Sequence, residues 1–252
     1  MKWLLAFLLA SLAIPALAED LVSGLSQDRI QITSNYHGTD MVVFGAIELG
    51  ESHGAQAAER DVVVVVRGPA ANIAVRRKAR VVGVWLNRDS IRLYGMPGYY
   101  YVASNRPLAA IARAATLARY QLGILTLKPK GESTRLPRKG EPFRLAAIRI
   151  REHRGLYAEA PGRVEFLSAE LFRVHVPIPA SAPRGEYNVN VYLVRDGTVV
   201  SAQTTPLFVD QVGLERQLFN FAHDRPLGYG LATAIMAILT GWASSFLFRR
   251  QG

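Results

Sequence analysis

From Leu227 to Phe248 the chain reads LGYGLATAIMAILTGWASSFLF, 22 residues without a formal charge, and no other feature restricts its fold as much. At about 1.5 Å per residue, a helix of that length covers a hydrocarbon core roughly 30 Å thick. The run therefore predicts a transmembrane α-helix. Pro226 stands at its start, where a missing N–H costs little, and Tyr229 and Trp242 to Phe248 place rings toward the two interfaces. Arg249 and Arg250 follow at once, which marks that end as cytoplasmic.

The other end is also apolar but shorter. Lys2, the apolar stretch Trp3 to Ala13, Pro15 and then Ala16-Leu17-Ala18 before Glu19 have the layout of a cleaved secretory signal over residues 1–18. The two ends together predict a single-pass protein of the bacterial inner membrane. Its mature chain starts at Glu19, residues 19 to about 225 are periplasmic, and residues 249–252 form a cytoplasmic tail. Along the predicted span, Gly230, Ala234, Ala237, Gly241 and Ser245 recur at spacings of four, three, four and four, so small residues share one face. Such a face admits close approach of another helix, from a second copy or from a multi-span membrane protein.

Cysteine is absent, which excludes thiol nucleophiles, zinc ribbons, thiolate-bound clusters and structural disulfides together. The formal net charge is +10, and only five basic residues are lysines: Lys2, Lys78, Lys128, Lys130 and Lys139. The arginine bias suits phosphate or carboxylate groups, and equally suits a GC-rich genome. A basic protein beside an anionic membrane needs no further partner to account for its charge.

Between the apolar ends the pattern is mainly that of strands. Arg29 to Thr33 alternates, Asp40 to Glu48 is an apolar run, and Val62 to Val66 is five valines in succession, a strand to be buried on both faces. Further strands are predicted near Ile73–Arg77, Val81–Asn87, Ile91–Tyr94 and Tyr99–Ala103, with turns at Gly68-Pro69 and Met96-Pro97-Gly98. The tyrosines 99–101 straddle a sheet, one face buried and the other at the surface. Pro107 to Leu122 is alanine-rich at helical spacing, Lys128 to Gly140 is a polar loop, and Glu141 to Leu156 is a second helix. On that second helix Phe143, Ala147 and Ile150 take one side, while Arg144, Arg151 and Arg154 line the other as the candidate basic contact surface.

After Arg163 strands return with clean alternation. Phe172, Val174, Val176 and Ile178 oppose Arg173 and His175, and Tyr187, Val189, Val191 and Leu193 oppose Asn188 and Asn190. Asp196-Gly197 is a two-residue hairpin signal before Thr198–Ser201, and Leu207–Val209 closes the set. The predicted architecture is mainly β: immunoglobulin-like β-sandwich modules at 19–106 and 161–212, a two-helix insertion over 107–160, a juxtamembrane helix over 213–226 and the transmembrane helix over 227–248. About four strands after Arg163 are few for a free-standing sandwich, so the second half packs on the first or completes its sheet.

Motifs for chemistry are missing. His37, His53, His153, His175 and His223 fall on different elements, with no H-E-x-x-H and no pair at i, i+4. There is no G-x-S-x-G, S-x-x-K, phosphate-cradling loop or dinucleotide fingerprint. Glu48, Glu51, Glu59, Asp61, Glu165 and Glu170 could meet as an acid–base pair or stand as solvated strand ends. No cofactor and no metal are expected, and the predicted compartment argues against nucleic acid.

The stretches LSQDRIQITSNYHGTDMVVFGAIE, VVGVWLN, YYYVASNRPL, LFRVHVPIP, GEYNVNVYLVRDG and VGLERQLFNFAHDRPLGYGLATAIMAILTGW resemble, from about Leu25 to Arg250, an alphaproteobacterial transmembrane protein family for which no activity is established. The resemblance implies the same layout of signal, periplasmic region and C-terminal span, with no catalytic residues. Relatives encoded beside a sulfite-exporter-like permease imply a transport accessory role. The combined expectation is a non-enzymatic accessory protein that meets membrane lipid and either a membrane protein or a second copy of itself. The alternative is a module that binds an anion or an acidic polymer through the Arg144–Arg154 helix.

Overall fold

A computed structural model describes residues 21–32, 38–47, 60–130, 140–211 and 221–248. The predicted signal 1–18, the start at Glu19, most of the polar loop after Lys130, the juxtamembrane stretch before Phe221 and the tail 249–252 lie outside the described residues. So do His37, His53, Glu48, Glu51 and Glu59. The chain divides into two compact units, one of Met1–Ile30 with His37–Val209 and one of Gln31–Tyr36 with Asp210–Gly252.

The first unit is built on the strand patterns read above. Its twelve described strands are β1 (Leu21–Leu25), β2 (Arg29–Ile32), β3 (Thr39–Ile47), β4 (Arg60–Arg67), β5 (Ala70–Val81), β6 (Val84–Pro97), β7 (Tyr100–Ser104), β8 (Tyr157–Pro161), β9 (Val164–Phe166), β10 (Leu171–Ile178), β11 (Gly185–Arg195) and β12 (Thr198–Gln211), of which β2 and β12 end just beyond it. They form a four-stranded sheet in the order β1-β3-β10-β9, a six-stranded sheet in the order β2-β12-β11-β4-β7-β8, and the separate pair β5-β6. Every inward residue of β10, from Phe172 to Ile178, is buried while Arg173 and His175 are exposed, as period two requires. Opposite Phe172 stands Gly45 on β3, and the space a side chain would take there is filled by the Phe172 ring and the Val22 carbonyl.

The five valines of β4 are buried without exception, because β4 lies between β11 and β7 inside the six-stranded sheet. Each buried aliphatic side chain of this kind contributes about 1.5–3 kcal/mol. Tyr99, Tyr100 and Tyr101 are all buried, which corrects the expectation of a surface face. Tyr99 donates to the Pro177 carbonyl at 2.5 Å and Tyr101 to the His175 carbonyl at 3.2 Å, both on β10, so the two sheets meet across these phenols. Tyr100 turns the other way and donates at 2.8 Å to the Gln121 carbonyl in the helical segment.

That segment connects β7 to β8, which pair in parallel. A parallel pair needs a crossover, and residues 105–156 supply it. The predicted first helix is two short ones, α1 (Leu108–Ile111) and α2 (Ala114–Tyr120). Ala112 breaks it in an extended conformation, bridging to Gly197 at the β11–β12 turn. A 3-10 turn at Ile124–Thr126 precedes α3 (Glu141–His153). The parallel pair is foreign to the all-antiparallel sandwich expected from the turn spacing. Strands from both sides of the crossover share both sheets, so the expected modules 19–106 and 161–212 are interleaved.

In the second unit, α4 (Pro226–Phe248) has 23 residues, following a helical turn at residues 221–224. Phe221 packs edge-on against Tyr229, with ring centroids 6.2 Å apart. Among the described residues no helix is long and apolar enough to cross a membrane, the side chains of Ala243 and of residues 245–248 lying outside them.

Candidate functional sites

The predicted basic helix face is partly interior. Arg144, Ala147 and Ile148 are the buried residues of α3, and Arg151 is half-buried one turn on, a stripe at i, i+3, i+4 and i+7. Phe143 is half-buried and Ile150 exposed, so the inward side lies about one residue away from the expected one. A guanidinium can sit on that stripe because carbonyls await it. Arg144 Nη1 donates to the carbonyls of Leu125 and Leu127 at 2.9 and 2.8 Å, and its Nε and Nη2 grip the Glu141 carboxylate. This hydrogen bonding from Arg144 holds the Glu141 carboxyl below its ordinary range. Arg151 donates to the Gly98 carbonyl at 2.6 Å and lies 5.9 Å over the Tyr157 ring. Of the three predicted contact arginines Arg154 is exposed, whereas Arg144 and Arg151 fasten the crossover, to its own Leu125 and Leu127 carbonyls and to Gly98.

The phenols beneath α2 and α3 form a second fastening. Tyr100 donates to Gln121, accepts from the Gly123 N–H at 2.9 Å and lies under the Arg67 guanidinium, which itself donates to the Tyr120 and Gln121 carbonyls. Burial is the main cause that pushes the Tyr100 phenol up, with Arg67 opposing it. Tyr157 donates to the Pro97 carbonyl at 2.6 Å, and burial pushes it up to about 12.

Of the candidate carboxylates only Asp61, Glu165 and Glu170 are among the described residues, and Asp61 and Glu165 are held by different arginines. Asp61 is buried and gripped by the Arg106 fork, with Asn105 Nδ2 donating at 2.8 Å. Glu165 pairs with Arg173 at an exposed edge, at 2.9 Å. Glu159 accepts the Ile124 N–H at 3.2 Å. Among the described residues no three histidines or carboxylates are grouped to hold a metal ion. One open groove of about 370 Å³ has a basic character, with Arg67, Lys128 and Lys130 facing it beside Glu186 and Asn188.

The most exposed basic feature is one that strand-by-strand reading divided. The β5 and β6 strands form a single hairpin from Ala70 to Pro97, and the predicted strand Val81–Asn87 runs across its turn. Val82 and Gly83 both take positive φ, 49° and 85°, as a two-residue hairpin turn demands. Cross-strand partners share a face. Ile73, Val75, Ala79 and Val81 therefore lie with Leu93, Ile91, Leu86 and Val84, while Arg76, Lys78 and Arg80 lie with Ser90, Asn87 and Trp85. Near the base the apolar face is covered, Val75 and Leu93 being buried. Beyond Arg77 it is open, with Val81, Val84 and Leu86 exposed; Val82 in the turn is 97% exposed, and Trp85 on the opposite face 65%. The legible signal was a basic run, Arg76 to Arg80, passing into the apolar residues Val81, Val82, Val84, Trp85 and Leu86 around a single glycine, Gly83.

On α4, Gly230, Ala234, Ala237 and Gly241 are exposed on their shared face, and a side chain added at Gly230 or Gly241 would meet nothing within 4 Å. The side chain of Ser245 lies outside the described residues. The large apolar residues of α4 are exposed around the helix, Leu227 at 90% and Ile238 at 70% among them, and Thr233 and Thr240 return their hydroxyls to carbonyls of their own helix.

No curated protein matches the chain. A family model described as "Putative transmembrane protein (Alph_Pro_TM)" matches residues 20–250.

Proposed function

The chain belongs to the Alph_Pro_TM family, and on that premise we propose that it is a non-enzymatic accessory protein, tethered in the bacterial inner membrane by α4, whose β-rich unit works in the periplasm beside a membrane-protein partner. The observation that carries this reading is α4 itself. Its apolar side chains are exposed around the helix, and in water such a surface is costly, whereas in hydrocarbon it is at rest. The family description and Arg249-Arg250 after the helix support a span with its C-terminus inside. The open face of Gly230, Ala234, Ala237 and Gly241 supports close packing with a partner helix, for which a sulfite-exporter-like permease is the reading and a second copy the alternative.

Carbonate extraction tests the tether: the chain is expected to stay with the membrane pellet, and its release into the supernatant would refute it. Affinity purification from solubilised membranes tests the partner. Gly230→Leu with Gly241→Leu is expected to remove a co-purifying membrane protein, and recovery of none above background from the unaltered chain would refute that part.

A second reading has its own observation. The groove beside Arg67, Lys128 and Lys130 supports binding of a small oxyanion. Thermal shift with sulfate, sulfite and phosphate is expected to raise the melting temperature in the unaltered chain and not in Lys128→Ala with Lys130→Ala. Equal response in both would refute it.

A further inference from the structure

We propose that the β5–β6 hairpin is a membrane-surface arm, which lays its bare apolar end into the interfacial layer of an anionic bilayer while its arginines and lysines hold the lipid phosphates. The proposal rests on the reading that the protein works at a membrane, but not on α4 as its anchor.

Between Arg76 and Arg92 there are six basic side chains, Arg76, Arg77, Lys78, Arg80, Arg88 and Arg92, against the single carboxylate Asp89. All seven are exposed. The six residues from Arg76 to Val81 reach roughly 20 Å past the covered base, at strand rise. The face that buries Val75 and Leu93 is crossed by the exposed pair Arg77 and Asp89 and then continues outward as Ala79, Val81, Val84 and Leu86. This is one amphipathic surface, half satisfied by the protein's own core and half uncovered.

Two features of the tip point to an occupant that is apolar and anionic at once. Val82 is a β-branched residue held in the left-handed region at φ 49°, where asparagine or glycine is the usual choice. It is almost wholly exposed. A strained, water-facing valine is costly to folding and becomes useful when the tip is buried in something apolar. Trp85 stands next to it on the face that carries Lys78 and Arg80, in the order that suits an indole among headgroups with cations beside it. A second copy of the arm would bring like charge against like. An anionic bilayer offers phosphates and hydrocarbon within a few ångströms, and long arginine stems let the charge reach the first while the backbone approaches the second.

The test uses the full chain with Trp3→Phe and Trp242→Phe, which leaves Trp85 as the remaining one of three tryptophans. It is reconstituted in nanodiscs of phosphatidylcholine, with or without phosphatidylglycerol, and with acyl chains brominated to quench an indole at their depth. In the discs containing phosphatidylglycerol, Trp85 emission is expected to shift to the blue and lose about half its intensity to the brominated lipid. Both changes are expected to weaken in neutral discs and to vanish in Arg76→Glu, Arg80→Glu, Arg88→Glu. Unquenched Trp85 in both discs overturns the proposal, and so does equal quenching in both. A blue shift in detergent alone that grows with protein concentration also overturns it, since a second copy then covers the tip. A chain that does not stay with nanodiscs defeats the α4 tether instead. Flotation with liposomes then decides for the arm: binding that requires phosphatidylglycerol and is lost in the triple variant supports it, and no binding overturns it.

Discussion

A guanidinium on the inward stripe of a helix is tolerable only while its donors are met, because an unpaired buried charge is far costlier than a missing contact. Arg144 meets two carbonyls and a carboxylate from that position, so its removal strands the Leu125 and Leu127 carbonyls as well. Arg144→Ala is expected to destabilise the first unit by about 2–3 kcal/mol in urea denaturation, and Arg144→Lys, with one ammonium for three acceptors, by less. A loss under about 0.5 kcal/mol would mean the stripe is solvated after all. Sequence pattern could not have told this residue from a solvated one: in a run with Arg144, Arg149, Arg151 and Arg154, nothing local announces which cation has carbonyls waiting 17 to 19 residues earlier. The tyrosines carry a pH prediction at the same scale. Burial raises Tyr157 from 10.0 to about 12 and raises Tyr100 as well, so the folded state binds these protons more tightly than the unfolded one. Their contribution is fully present below pH 10 and is lost as pH rises through the folded values, with the decline starting above pH 10. Tyrosinate absorbance is expected to show a class of phenols that titrates about two units late, reduced in Tyr157→Phe, and stability to fall over the same window. Titration of every tyrosine near 10 would contradict the packing of α3 on Tyr157.

Among the elements, two hairpin turns of the same geometry were read with opposite success. Asp196-Gly197 takes positive φ at both residues, 51° and 76°, and its side-chain chemistry advertises this. Val82-Gly83 takes the same conformation with a residue that disfavours it, so the β5–β6 arm read as three separate strands, one of them across the turn. Val82→Asn is accordingly expected to stabilise the arm by about 0.5–1 kcal/mol, seen as slower hydrogen exchange at Val81 and Val84. Unchanged or faster exchange would show that the valine carries no strain. The alternating strands were legible for a plainer reason: β10 has one face on the core, and period two is written into Phe172–Ile178, while β11 alternates from Tyr187 to Val191 before both its faces are buried through Val194. The break at Ala112 was not, since alanine favours a helix and only a bridge to Gly197, 85 residues further on, holds it extended.

For the β-rich unit as a whole, the decisive quantity is how far apart in sequence the paired strands lie. In the four-stranded sheet β3 pairs with β10, and in the six-stranded sheet β4 pairs with β11, so neither half of the chain completes a sheet. The residues that line each strand are visible one at a time, but which strand lies beside which depends on loop closures over a hundred residues or more, and no local pattern records those. The same holds for the candidate sites. The apolar run of α4 is legible because it is contiguous, whereas the arm became a surface only when Arg76, Lys78 and Arg80 were set across from Ser90, Asn87 and Trp85. Interleaving has a measurable consequence. A fragment of residues 21–106 would keep β3 and β4 but lose β10 and β11, exposing a row of valines and two unpaired strand edges. It is expected to show no cooperative transition in urea by circular dichroism and to aggregate, while in the full chain the strand signal is lost in a single step. A reversible, cooperative transition in the fragment would mean that β3 and β4 carry enough local structure to fold without their long-range partners, and that the sheets are assembled from two modules rather than condensed as one.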